Sequence, residues 1–201
     1  AITTGDAASR PPHSKVYTSR MLMAYRFPTH YPPYWHLGAR MGVGPVCEFL
    51  RRWHTRGACT LLDIGCGPGS NALLAAELGY RVIAADLSSQ GLRLVRGTAG
   101  AMGHGARVYP LMADGLGLPF RDASFDVVFA SHVIEHLDAP ASLLLEIDRV
   151  LRPGGAARIA CPTPYHGMRL LPKLGFELDP HDHKVIGYSA SDIAAMLPAS
   201  M

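Results

Sequence analysis

Three glycines at alternate positions constrain this chain more than any other feature. They lie in Leu61-Leu62-Asp63-Ile64-Gly65-Cys66-Gly67-Pro68-Gly69, where an apolar run enters a turn and a helix-forming stretch, Ser70 to Leu78, follows at once. That order reads as a buried strand, a tight turn and a helix start. Glycine lets the backbone turn sharply and lets a ligand approach the main chain, while a helix N-terminus offers unpaired N–H groups. The next strand-like run, Arg81-Val82-Ile83-Ala84-Ala85-Asp86, ends in an acid 21 residues after Gly65. An acid at that distance reaches the two hydroxyls of a ribose. The combination predicts a nucleoside-bearing ligand.

The rest of the chain repeats the same unit. Before the glycine turn, Val46, Phe49, Leu50 and Trp53 fall at i, i+3, i+4 and i+7, with Pro45 at the start and Gly57 past the end, which predicts a helix. Strands are predicted at 60–64, 81–86, 107–112, 125–130 and 156–161, and helices at 69–78, from about 89, and at 139–151. Arg152-Pro153-Gly154-Gly155 reads as a hard stop between the last of these helices and the last strand. Ser189-Ala190-Ser191-Asp192 reads as a capping box opening a short final helix with Ile193, Met196 and Leu197 on its apolar face. The strands are continuous apolar runs rather than alternating ones, as in a parallel sheet covered on both faces. The expected fold is therefore α/β, a doubly wound, mostly parallel sheet with helices on both faces. Residues 1–40 read as an irregular N-terminal segment or lid and 41–201 as one domain.

Composition narrows the setting. At 201 residues, 48% apolar and 17% charged, the chain can bury a substantial core. No apolar run approaches the ~20 residues of a membrane span and no basic-then-apolar leader opens the chain, so a cytoplasmic location is expected. Cys47, Cys59, Cys66 and Cys161 show no paired spacing and read as free thiols. Residues 1–60 carry eight Lys/Arg against two acids, while the remainder is net negative. There is no dense basic run and no nucleic-acid module, so a nucleic-acid partner is not expected.

The ligand class follows from the neighbours of the glycine turn. A dinucleotide fingerprint, counted from Gly65, wants a glycine or alanine where Ser70 stands. Five features in order instead resemble the class I S-adenosylmethionine-dependent methyltransferases, in particular their small-molecule group. Leu62–Gly69 is similar to the family's first motif and Asp86 to its ribose-binding acid. Ala113-Asp114 with Leu118-Pro119-Phe120 resembles its adenine-contacting loop. Phe125–Val128 leading to His132–Leu137 resembles its fourth strand and following turn, and Leu151–Gly155 its turn before the fifth strand. The resemblance spans about 45–197 and implies the Rossmann-like methyltransferase fold, S-adenosylmethionine as cofactor and no metal.

What it implies residue by residue agrees with elementary chemistry. Backbone at Gly65, Cys66 and Gly67 would lie against the amino-acid tail and sugar, and Asp63 would orient the loop or meet the ammonium. Asp86 would accept from both ribose hydroxyls, Leu87 would cover one adenine face, and Ala113 and Asp114 would meet the exocyclic amine. Ser131 and His132 would face the crevice at the carboxyl end of the fourth strand. The sulfonium methyl is already activated, so the enzyme aligns a small organic acceptor for O-, N- or C-methylation and, for oxygen, removes a proton. His183, within Asp179-Pro180-His181-Asp182-His183, is the expected base, with His166 and His181 beside it; Glu135 and His136 read as parts of a structural turn.

The aromatic segments 17–38 and 162–188 are expected to wall the acceptor site. A tRNA or protein methyltransferase, an NAD-dependent oxidoreductase and a non-catalytic cofactor-binding module are the competing readings. The family's two C-terminal edge strands are missing after the last helix, which ends near Met201. An incomplete chain, or an edge capped by a partner in a homo-oligomer, would account for that.

Overall fold

A computed structural model describes residues 45–162 and 187–198. Helix α1 (45–54) precedes strand β1 (Thr60–Ile64). Then come α2 (Ser70–Glu77), β2 (Arg81–Asp86), α3 (Ser89–Ala101), β3 (Val108–Met112) and β4 (Phe125–Ser131). A short 3-10 turn (Ile134–His136), α4 (Pro140–Val150), β5 (Leu151–Ala160) and α5 (Ala190–Met196) complete the described elements. The five strands form one parallel sheet in the order β3-β2-β1-β4-β5. The order reverses between β1 and β4, so the chain leaves the sheet in opposite directions there and opens a crevice at the carboxyl ends of those two strands.

Strand parity assigns side chains to two cores. Leu61, Val82, Ala84, Val127 and Phe129 point to one face, under Val46 and Leu50 of α1, Ala72, Ala75 and Ala76 of α2 and Val95 and Ala99 of α3. Leu62, Ile64, Ala85, Val128 and Ala130 point to the other, under Leu143, Leu144, Ile147 and Val150 of α4. Neighbouring residues of one strand are thus buried on opposite sides, the reason these strands read as unbroken apolar runs. The same parity puts Asp63, Asp86 and Ser131, at the carboxyl ends of β1, β2 and β4, on the α2–α3 side.

Two local features refine the expectations. The capping box forms as read: Ser189 accepts from the Asp192 N–H while the Asp192 carboxylate accepts from the Ser189 N–H. The helix it opens contributes Ile193 and Met196 to the edge of the second core. Arg152-Pro153-Gly154-Gly155, in contrast, does not delay the start of the last strand. β5 already pairs at Leu151 with Phe125 and resumes at Ala156 with Val127, so the four residues form a wide bulge within the strand. Gly154 takes φ +77 at its crest, a conformation that side chains with a Cβ rarely adopt.

Candidate functional site

The glycine turn is built around Asp86. Asp86 Oδ2 accepts from the Gly67 N–H at 2.7 Å, and Oδ1 accepts from the Ser88 N–H at 2.7 Å. The Cys66 N–H donates to Ala85 O at 3.0 Å and the Ala113 N–H to Asp86 O at 3.2 Å. One carboxylate therefore ties the turn after β1 to the end of β2, and main-chain bonds carry the tie on to β3. The helix cap that follows is Ser88, whose hydroxyl accepts from the Gly91 N–H. Asp86 is thus not the cap itself. Each of its oxygens spends one bond on the backbone, and a carboxylate has capacity for about four.

Gly67 sits at φ +53, and a Cβ there would meet nothing within 4 Å. The absent side chain leaves open space against the backbone. Gly65, at φ +64, instead packs against Val133, which draws the turn after β4 beside the turn after β1. A Cβ at Gly91 would stand 2.8 Å from Gly67 O, so α3 supports the glycine turn from below through bare backbone. Sequence reasoning missed Gly91 and Ser88; the signal was a small residue one turn into the helix after the acid.

Asp63 is 1% exposed, and its Oδ2 has no hydrogen-bond partner among the described residues. Burial pushes its carboxyl up to about 7, against the hydrogen bond from the Ala72 N–H and with help from the nearby Asp86 charge. An orphaned carboxylate oxygen beneath a glycine turn is costly and calls for a cation or donor from beyond the described residues. Cys66 is buried beside it, and burial holds its thiol well above the usual range, so it is no nucleophile.

The remaining corners carry polar and apolar groups. Asp114 Oδ1 accepts from the Leu116 N–H at 2.9 Å, an Asx turn that shapes the loop after Ala113. That loop is clamped to α4: the Arg149 guanidinium donates to Leu118 O and Phe120 O and to the carboxylates of Glu146 and Asp122. Leu87 is 49% exposed and Met112, the register partner of Asp86, is 58% exposed. These are apolar surfaces left uncovered at the sheet end where the expected adenine would lie. Across the crevice, Ser131 Oγ accepts from Asn71 Nδ2 at 3.2 Å, joining β4 to the first turn of α2.

His132 follows at φ +56, a left-handed conformation uncommon outside glycine, and its N–H donates to Ala160 O at 2.7 Å. Its Nδ1 lies 3.1 Å from Glu135 Oε1. Glu135 is fully buried, and its Oε2 has no partner among the described residues. The hydrogen bond to Glu135 raises the imidazole above its ordinary value, outweighing the opposing effect of burial. The sequence reading of Glu135 as an ordinary part of the turn did not foresee a buried carboxylate paired with His132.

The site lies within a methyltransferase domain. Residues 62–159 match the family described as methyltransferase domain. An uncharacterized methyltransferase of Mycobacterium marinum is 42% identical over 100 residues, 49% of this chain and 37% of its own. The O-methyltransferase resE of Aspergillus sclerotiorum is 33% identical over 112 residues, 52% of this chain and 42% of its own. The chain therefore spans less than half the length of these two curated relatives. A solved structure concerned with converting a disulfide into a thioacetal during echinomycin biosynthesis superposes with a TM-score of 0.61 at 26% identity, covering 75% of this chain and 66% of its own.

In this methyltransferase domain the turn after β1, the ends of β2 and β3 and the end of β4 come together as expected. The expected base His183, with His166 and His181, lies outside the described residues, as do 1–40 and most of 162–188. Among the described residues no helix is long and apolar enough to cross a membrane, and no cluster of three metal-ligating side chains forms.

Proposed function

We propose that this protein transfers a methyl group from S-adenosylmethionine to a small organic acceptor. The observation that carries the reading is the pairing of the open space at Gly67 with the orphaned Asp63 Oδ2 beneath the same turn. Together they fit a zwitterionic amino-acid tail: Asp63 would take its ammonium, and the Gly65–Gly67 backbone would lie along it. Asp86 would use its remaining acceptor capacity on the ribose hydroxyls, with Leu87 and Met112 flanking the adenine and Ala113 and Asp114 at its edge. The cofactor supplies an electrophilic methyl carbon on a sulfonium. Ser131 and His132 border the crevice where an acceptor would approach, and their rigid placement would align it in line and exclude water.

A small acceptor is favoured because a relative 29% identical over 136 residues is named ajmaline N-methyltransferase, after a small organic acceptor. Calorimetry with S-adenosylhomocysteine tests the cofactor site directly. Asp86→Ala should abolish most binding, since it removes the ribose acceptor and unties Gly67; near-normal affinity would refute the assignment. Incubating the protein with methyl-labelled S-adenosylmethionine and fractionated cell extract tests the acceptor. Label found in the RNA or protein fraction, rather than among small molecules, would sink the small-acceptor reading.

A further inference from the structure

We propose that His132 is the proton acceptor of the transfer, that Glu135 is its positioning residue, and that the acceptor is accordingly a hydroxyl compound, an alcohol or phenol. This rests on the cofactor reading above and names a base among the described residues, where the sequence pointed to His183. The geometry has three parts. His132 stands at the carboxyl end of β4, next to Val133, which packs on Gly65 of the glycine turn. Its side chain is 67% exposed, while the Glu135 side chain that holds it is 0% exposed. Its backbone is held at φ +56 by the bond from its N–H to Ala160 O, a strained conformation that fixes where the ring emerges.

The pairing determines which nitrogen works. A carboxylate can only accept, so Nδ1 carries the proton toward Glu135 Oε1 and the lone pair resides on Nε2. This is the arrangement by which a buried acid orients an imidazole and stabilises the imidazolium that forms. A buried carboxylate with one oxygen unpartnered among the described residues is a poor structural element, since an apolar side chain of similar volume would fill the place at lower cost. Among the described residues, the groups facing Glu135 from elsewhere are Cys161, just past β5, and Tyr188, before α5. Burial raises both the thiol and the phenol, so each stays neutral and, among the described residues, the hydrogen-bond partner of Glu135 is His132.

The step balances without a metal or oxidant. The acceptor oxygen forms a bond to the methyl carbon, the carbon–sulfur bond breaks with its electron pair going to sulfur, and the hydroxyl proton moves to Nε2. The products are a methyl ether, S-adenosylhomocysteine and an imidazolium that returns its proton to water. Carboxylates and tertiary amines need no such base, so the dyad would be superfluous for them.

The test uses the whole chain, S-adenosylhomocysteine for binding, and methyl-labelled S-adenosylmethionine with the small-molecule fraction of a cell extract for turnover. His132→Asn keeps a residue that tolerates positive φ. It should bind S-adenosylhomocysteine with wild-type affinity yet transfer label about 10²–10⁴-fold more slowly. In Glu135→Gln the His132 titration midpoint, followed by NMR, and the acidic limb of the transfer rate should move together to lower pH. Glu135→Asp, which keeps the charge, should restore part of that displacement. A merely structural Glu135 would leave the acidic limb in place. Wild-type transfer rates in His132→Asn, an unmoved limb in Glu135→Gln, or label going only to carboxylates or amines overturns the proposal. Failure of every form to bind S-adenosylhomocysteine overturns instead the cofactor reading beneath it.

Discussion

Asp63→Asn separates the cost of the candidate site from its use. The Asp63 carboxyl is raised from 3.8 to about 7, with burial the first cause. A raised acid means that the folded state holds a proton the unfolded chain has released. Stability is therefore greatest below pH 4 and falls as pH rises toward 7. That displacement converts to about 4 kcal/mol lost above pH 7. Asparagine keeps a carbonyl oxygen for the Ala72 N–H and removes the charge, but it leaves an unpartnered amide where Oδ2 stood, at about 1–3 kcal/mol.

The net expectation is a gain of about 1–3 kcal/mol at pH 8, or several degrees in Tm. At pH 5, where wild-type Asp63 is already protonated, the gain should vanish. Urea unfolding of both proteins at the two pH values measures this difference. If Asp63→Asn destabilises at pH 8, or acts equally at both, the buried-charge reasoning is wrong. S-Adenosylhomocysteine affinity should move the opposite way, falling in the variant, because the group that costs stability is the one offered to the ammonium.

At the opposite end of the sheet, Asp126 behaves inversely. Burial would raise it, but hydrogen bonds from the Cys59 N–H at 2.9 Å, the Thr60 hydroxyl and N–H at 2.8 Å each, and Arg152 hold it at about 2. A depressed acid contributes stability above pH 4 that is lost as pH falls through 2, so Asp126→Asn should cost about 2 kcal/mol at pH 7 and little at pH 2 by urea titration. Gly67→Val should fold with a penalty of about 1–2 kcal/mol for its positive φ. Its branched side chain would fill the open space there, and calorimetry should find S-adenosylhomocysteine affinity lowered by more than about tenfold, or 1.4 kcal/mol.

Much of this protein was legible along the chain because its determinants are local. β1 and β2 alternate between two buried faces, so each reads as an apolar run with a turn at a known place. Glycines 65 and 67 mark positive φ, and Ser189 with Asp192 caps its own helix. The same parity puts Asp63 and Asp86 on one face at the ends of their strands. The bulge at 152–155 escaped this logic, since proline and glycine signal a break without saying whether strand pairing resumes on both sides.

The tertiary structure decided what neighbours what. Placing β4 beside β1, rather than beside β3, is a non-local pairing that no window of sequence encodes. It brings Val133 onto Gly65 and sets His132 at the crevice. Burial is likewise a property of the whole: Glu135 reads as one acid in a polar turn until the fold buries it completely. Only then does it become a desolvated carboxylate hydrogen-bonded to His132, the condition under which it can direct an imidazole. Local propensity and parity wrote the strands and the glycine turn, and long-range packing made a site of them.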